Sequence, residues 1–206
     1  MTGIGDLKFA DRDGDGKINN DDRTFIGNPW PKYVYGFNLY VGWKGFDLMA
    51  DFIGIAKRDI LNLNITMERA FQQDYNTTYK IFDASYFMGN GLTDHPRVST
   101  VDPSSGGLVR DPNDNYRQYS DYLVENGSYF KLKNLTIGYT FPSEWISKVK
   151  LSHLRIYVTG QNLLTFTKFT GLDPEFYGND KKNHSQYNRD IYPQTKLYSI
   201  GIDIGL

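Results

Sequence analysis

The chain has 206 residues, enough for one domain with its own core, and a formal net charge of −1, which offers nucleic acid no electrostatic attraction. Cysteine is absent, which excludes disulfides and thiolate metal sites, and no Walker loop, Gly-x-Gly-x-x-Gly run or basic run occurs. No apolar stretch is long enough for a membrane-spanning helix, while 16 Tyr, 13 Phe, 3 Trp and 20 Gly suit a β-rich chain with tight turns.

The N-terminus, Met1-Thr2-Gly3-Ile4-Gly5, lacks the charged and apolar regions of a signal peptide. Residues 11–22 read Asp-Arg-Asp-Gly-Asp-Gly-Lys-Ile-Asn-Asn-Asp-Asp. Asp11, Asp13, Asp15 and Asp22 occupy positions 1, 3, 5 and 12 of a calcium-type loop. Gly16 permits the sharp turn, and Lys17 would contribute its backbone carbonyl. A hard dication needs six to eight oxygens, which a chain supplies by curling around it. Position 12 is Asp rather than Glu, and no helix flanks the loop, so the expectation is a structural Ca2+ that stiffens the loop, weaker than a sensor site. The bland alternative is an Asp-Gly-rich turn.

Residues 33–43 alternate strictly: Tyr33, Tyr35, Phe37, Leu39, Val41 and Trp43 face one way, and Val34, Gly36, Asn38, Tyr40 and Gly42 the other. Lys44-Gly45 reads as a tight turn, and 46–54 alternate again, with Asp47 and Asp51 on the watered face. Residues 57–128 form a long insertion. Ile60, Leu63, Met67 and Phe71 predict an amphipathic helix around 58–72, and Gly89 to Asn115 reads as loop. Strands return at 129–141 and 153–166, joined by a helical turn that Ser143 is expected to cap. A second long loop spans 167–195, and the last strand turns Tyr198, Ile200, Ile202, Ile204 and Leu206 outward.

Five strands thus alternate short connections with long ones, each near the 9–11 residues of a tilted membrane strand. The predicted class is all-β: an antiparallel segment of about five strands of a transmembrane β-barrel. The mean hydropathy of −0.53 fits, since such strands are apolar on one face only. Residues 1–32 form an outer loop with the calcium-like motif, and 33–206 form barrel strands with extracellular loops 57–128 and 167–195. Tyr33, Tyr35, Trp43 and Phe141 at strand ends suit an aromatic girdle. Trp30, Tyr177 and Tyr187 suit loop packing or partner contact ahead of sugar stacking.

Several blocks then carry a family resemblance. Asp13-Gly14-Asp15-Gly16, Ile26-Gly27-Asn28-Pro29, Tyr35-Gly36-Phe37-Asn38, Leu132-Lys133-Asn134-Leu135, Gly160-Gln161-Asn162-Leu163 and Gly171-Leu172-Asp173-Pro174-Glu175 resemble, in order, the closing portion of SusC/RagA-type TonB-dependent transporters. Tyr192-Pro193-Gln194 also matches, whereas Thr195-Lys196 and the terminal Leu206 depart from the pattern. The resemblance implies a barrel in the bacterial outer membrane of Bacteroidota, contact with outer-membrane lipid, and a plug through which TonB acts. It also implies a SusD-like lipoprotein at the mouth and an oligosaccharide or peptide cargo. It implies a piece of a longer importer that is not an enzyme. The alternative is a secreted soluble all-β module binding calcium and carbohydrate. A third reading takes Asp173 and Glu175 as a glycosidase pair. His95, His153 and His184 show no metal-ligand spacing. No catalytic or substrate-binding residue is named from the sequence.

Overall fold

The computed structural model describes residues 3–63, 95–175, 178–179, 186–187 and 194–206. Its strands are β1 (Tyr33–Trp43), β2 (Phe46–Ala56), β3 (Asp59–Leu61), β4 (Ser99–Val101), β5 (Leu108–Arg110), β6 (Val124–Asn126), β7 (Tyr129–Thr140), β8 (His153–Thr167), β9 (Gly178–Asn179), β10 (Gln186–Tyr187) and β11 (Leu197–Gly205). The chain divides into two compact units, one of Met1–Gly27, Leu61–Val124 and Tyr187–Arg189, the other of Asn28–Ile60, Glu125–Gln186 and Asp190–Leu206. No helix among the described residues is long and apolar enough to cross a membrane, which says nothing of crossing by strands.

The second unit is built on one antiparallel sheet in the order β1-β2-β7-β8-β11. The two-residue link Lys44-Gly45 has both residues at positive φ (48° and 88°), the twist that lets a two-residue loop join strands without splaying them. A Cβ on Gly45 would lie 2.7 Å from the Thr140 carbonyl oxygen, so only glycine fits. Elsewhere, β7 and β8 are joined by the short helix α1 (Ser143–Ile146) and a 3-10 turn. Ser143 is the first helical residue rather than the cap: Pro142 holds the cap position, with no side-chain hydrogen bond there. A proline with no N–H of its own costs nothing just before the first turn, so the helix starts without a hydroxyl cap.

Register sorts the side chains into rows. Val41, Leu48, Ile137, Val158 and Ile200 pair across the sheet on one face, and Trp43, Phe46, Tyr139, Ile156 and Ile202 form the next row. The opposite face carries Asn38, Asp51, Asn134 and Gln161 in one row and Thr136, Thr159 and Ser199 in another. Phe37, Leu39, Val41, Ile156, Ile200 and Ile202 are all exposed, from 38 % at Ile156 to 77 % at Ile200. No second sheet covers this face among the described residues of the unit. Aromatic rings bracket it. At one end Phe37 stacks on Phe52 (4.6 Å), Phe52 on Phe130 (5.5 Å) and Phe130 on Phe166 (6.4 Å). At the other end Phe46 meets Tyr139 (4.6 Å) and Tyr139 meets Phe141 (5.0 Å), beside the exposed Trp43. The aliphatic band between Phe37 and Trp43 is about 20 Å tall along the strand.

Strict alternation fails at one place. The register of β7 shifts between Leu132 and Asn134 against both neighbours, a bulge at Lys133. Strict alternation would turn Leu132 away from Leu135 and Ile137. The bulge lets Leu132 pair with Phe52 and Leu164 on the apolar face while Lys133 and Asn134 both find partners on the polar one.

The expected helix at 58–72 is not formed where the chain is described: Asp59–Leu61 is extended. The Asp59 amide donates to the Asn28 carbonyl (2.9 Å), and the Arg58 carbonyl accepts from Gly127 (2.8 Å), so these backbone groups are spent across strands and not down a helix. Ile60 is fully buried. Its helical spacing to Leu63 reflects burial of both residues, while Met67 and Phe71 lie outside the described residues. The expected loop up to Asn115 also contains a hairpin, β4 with β5, closed by Asp102 and Gly107.

The first unit has a small core of Val98 and Tyr116 with Tyr122 against it, and the Tyr116 hydroxyl donates to the Pro96 carbonyl (2.8 Å). Its N-terminal segment is pinned by charge: Arg97 donates twice to Asp6 (2.7 and 2.5 Å), and Asn115 bonds both Asp6 and the Leu7 amide. Burial alone would raise the Asp6 pKa, but the Arg97 and Asn115 hydrogen bonds outweigh it and hold the carboxyl below its ordinary value.

Replacing Gly45 with Ala tests the turn. The variant should lose at least ~1 kcal/mol of stability in denaturant unfolding, because it puts a Cβ at positive φ and against Thr140.

Candidate functional site

Two constellations of charge stand out. The first is the acidic loop. One oxygen each of Asp11, Asp13 and Asp15 lies within 4.8 Å of the others, and all three side chains are exposed. The loop is shaped by its own amides. Asp11 accepts from Gly14 (2.7 Å) and Gly16 (2.8 Å), Asp13 accepts from Asp15 (3.1 Å), and Asp15 accepts from Lys17 (2.7 Å). Gly14 and Gly16 have φ near +80°, with nothing within 4 Å of a Cβ, so conformation and not space requires glycine at both. Asp22 stands outside the triad and closes the loop another way, accepting from the amides of Arg12 (2.7 Å) and Asn19 (2.8 Å). Those two amides hold its carboxyl below the ordinary pKa, and Asp22 and Asn19 form a capping box on the 3-10 turn Asn20–Asp22. Lys17 takes part through its amide.

The second constellation sits on the polar face of the large sheet. Lys131 is only 1 % exposed, and its ammonium lies 2.7 Å from Glu175 and 3.3 Å from Asp173. Lys133 donates to both oxygens of Glu175 (2.8 and 3.0 Å) and to the Gln194 side-chain carbonyl (3.0 Å). The Glu175 amide donates to Asp173 (2.9 Å), which fixes the turn between the two acids. Arg58, also buried, donates to the Pro174 and Gly127 carbonyls. A buried ammonium is tolerated only with counter-charges at hand, and here two carboxylates meet it.

Asp173 and Glu175 therefore have positioned partners, and these are lysines. Burial alone would raise the Glu175 pKa, but Lys131 and Lys133 more than offset it and hold the carboxyl below its ordinary value. A general acid needs the opposite shift. Sequence reading missed Lys131 and Lys133. The available signal was two lysines two residues apart, on either side of Leu132 in a strand.

A third tie crosses the same face. Arg155 on β8 donates to both oxygens of Asp47 on β2 (3.0 and 2.7 Å) and reaches Asp203 on β11 (3.5 Å). It lies over Gly138 of the intervening strand, where a Cβ would sit 2.6 Å from both the guanidinium and the Asp47 carboxylate. Next along the face, Asp51 accepts from Asn38 (2.6 Å) and Asn134 (3.0 Å).

Other predicted residues separate. Trp30 is exposed, Tyr177 and His184 lie outside the described residues, and Tyr187 is described by its backbone. His95 meets the Tyr122 hydroxyl at 2.5 Å, while His153 opens β8 at the surface.

No protein-family model matches the chain. TonB-dependent receptor P3 of Formosa agariphila is 35 % identical over 201 residues, which is 95 % of this chain and 18 % of that receptor. SusC of Bacteroides thetaiotaomicron, also a TonB-dependent receptor, is 23 % identical over 95 % of this chain and 17 % of its own length. The solved RagAB peptide importer in its open-open state superposes with a TM-score of 0.70 at 26 % identity, over 92 % of this chain and 19 % of that one. Over nearly its whole length the chain is similar to one segment of TonB-dependent receptors, SusC among them, and to one segment of the RagAB importer. It spans about a fifth of the length of the curated relatives it matches.

The lysine cluster makes stability depend on pH with a definite sign. A carboxyl whose folded pKa is lowered adds stability above its unfolded pKa and loses it as pH falls through the folded value. The Glu175 contribution should therefore be flat from neutral pH down and vanish only below the ordinary value of 4.5. Lys131→Met should cost about 3 kcal/mol in urea unfolding of the detergent-held receptor, because it strands buried carboxylates. Its loss of stability on acidification below 4.5 should be smaller than the parent's, because without the Lys131 ammonium the folded Glu175 carboxyl moves back up toward its ordinary value.

Proposed function

We propose that this chain is a stretch of wall, with attached outer loops, of a TonB-dependent importer in the bacterial outer membrane that takes up oligosaccharides or peptides with a SusD-like lipoprotein over its mouth. One observation carries the reading: a single sheet turns a continuous exposed apolar band to one side and a face crossed by charged and polar hydrogen bonds to the other. In water such a band costs about 25 cal/mol per Å2 and would be covered by a second layer; in hydrocarbon it costs nothing. Aromatic rings at both ends of the band suit the two interfaces of a bilayer. The solved relative is named a peptide importer, and the curated relatives are named TonB-dependent receptors, which supports the activity. The alternative, a soluble sandwich, requires Phe37, Leu39, Val41, Ile156, Ile200 and Ile202 inside a core, and these six are exposed. On this reading the chain breaks no bonds, TonB acts through a plug elsewhere in the protein, and the connections 57–128 and 167–195 lie on the outer side.

The test is an asymmetry between neighbours. Val158 lies in the middle row of the band, and Thr159 faces the opposite way. In full-length receptor folded into lipid vesicles, Val158→Lys should cost ~2–4 kcal/mol and Thr159→Lys much less. Equal costs, or a loss confined to Thr159→Lys, would remove lipid as the partner of this face.

The acidic loop is the place for a structural Ca2+. Three carboxylates within 4.8 Å repel one another by roughly 1 kcal/mol per pair even in water, and a dication turns that repulsion into attraction. Asp11, Asp13 and Asp15 would supply the first oxygens, the Lys17 carbonyl a further one, and Asp22 would hold the loop closed. Calcium should slow tryptic cleavage after Arg12, Lys17 and Arg23, and Asp15→Ala should abolish that protection. Identical digestion with calcium and with chelator would argue for a bare turn.

A further inference from the structure

The blocks that carried the family resemblance are scattered in sequence, yet four of them meet at one point of the polar face. Lys133 and Asn134 stand at the bulge of β7. Asn162, at positive φ (53°), stands where the pairing of β8 with β7 slips. Asp173 and Glu175 follow β8, and Gln194 precedes β11. The chain leaving β8 is held through Glu175, and the chain entering β11 is held through Gln194. Both bind the same ammonium, that of Lys133. Beside it, the Asn162 side chain donates to the Thr195 carbonyl (3.1 Å). Two adjacent irregularities in the sheet each send one donor to the re-entering strand. Bulges serve to re-aim side chains, and without this one Lys133 and Asn134 could not both face the same side.

We propose that Lys133 is the pin of a neck clamp, holding together the two ends of the β8–β11 connection so that it leaves and rejoins the wall at one anchored place. The division of labour follows from burial. Lys131 is sealed between Asp173 and Glu175, whereas Lys133, 28 % exposed in its side chain, shares Glu175 and also bridges to the next segment. Lys133 bonds both described ends of the connection, Glu175 and Gln194. The clamp does not depend on the importer reading, because it concerns how this sheet holds its own longest late connection.

The test uses the full-length receptor in detergent, so that membrane sidedness plays no part. Trypsin sites after Lys181, Lys182 and Arg189 lie in the connection, and those after Lys148 and Lys150, in the exposed link between β7 and β8, serve as the internal reference. Cleavage tracks the population of the opened neck, so Lys133→Met should raise it about tenfold at the first set and leave the second unchanged. Lys133→Arg, which keeps charge and donors, should behave as the parent, and Gln194→Leu, which removes one arm, should fall between. Parent-like cleavage in Lys133→Met overturns the clamp, as does an equal rise at both sets or a Lys133→Arg as labile as Lys133→Met. Should Lys133→Met fail to fold, Gln194→Leu decides alone: a selective rise supports the clamp and a parental rate overturns it.

Discussion

A sheet that offers only hydrocarbon on one side must settle all its charges on the other. That constraint organises the larger unit. Asp47, Asp51, Lys131, Lys133, Arg155 and Asp203 lie on five-stranded scaffolding whose far face is Val, Ile, Leu and aromatic. Each of these charges has a hydrogen-bonded partner. The pairing is spatially economical: Arg155 spans from β2 to β11 only because Gly138 removes the side chain that would stand in its way. Charge placement and glycine placement are thus one pattern, not two.

The same constraint explains why Asp173-Pro174-Glu175 sits where it does. An ammonium as enclosed as that of Lys131 cannot persist without counter-charge. Two acids flanking a proline present both carboxylates to one side of a fixed turn, and the Pro174 carbonyl remains for Arg58. What looked like a carboxylate pair suited to bond cleavage is a pair held by cations. The surrounding charge, more than the spacing of the acids, decides which chemistry they can do.

Much of this architecture was legible from residue order. The strands read at 33–43, 46–54, 153–166 and 198–206 declare themselves through a period of two, because one face is apolar and the other largely polar, and the structure extends or trims them by a residue or two. The turn at Lys44-Gly45 was legible for its glycine. The misreadings have local causes. Ile60 and Leu63 share a helical interval by coincidence of burial, and only the partner amides at Asn28 and Gly127 reveal an extended backbone. The bulge at Lys133 was hidden because alternation remains plausible on either side of it. The lysine–carboxylate cluster joins residues more than 40 positions apart, a distance over which periodicity carries no information. The acidic loop was the reverse case, since its contacts are nearly all within 11 residues and its glycines announce the turn.

The sheet order β1-β2-β7-β8-β11 follows chain order throughout. This has a kinetic meaning. The β1–β2 hairpin closes across two residues and can form in about 1–10 μs, before anything distant is recruited. Joining β7 to it requires closing a far longer loop, and each doubling of that loop adds only ~0.6 kcal/mol of entropy. Growth can then proceed one neighbour at a time from a finished edge, so at no stage does a strand have to be threaded between two others already paired.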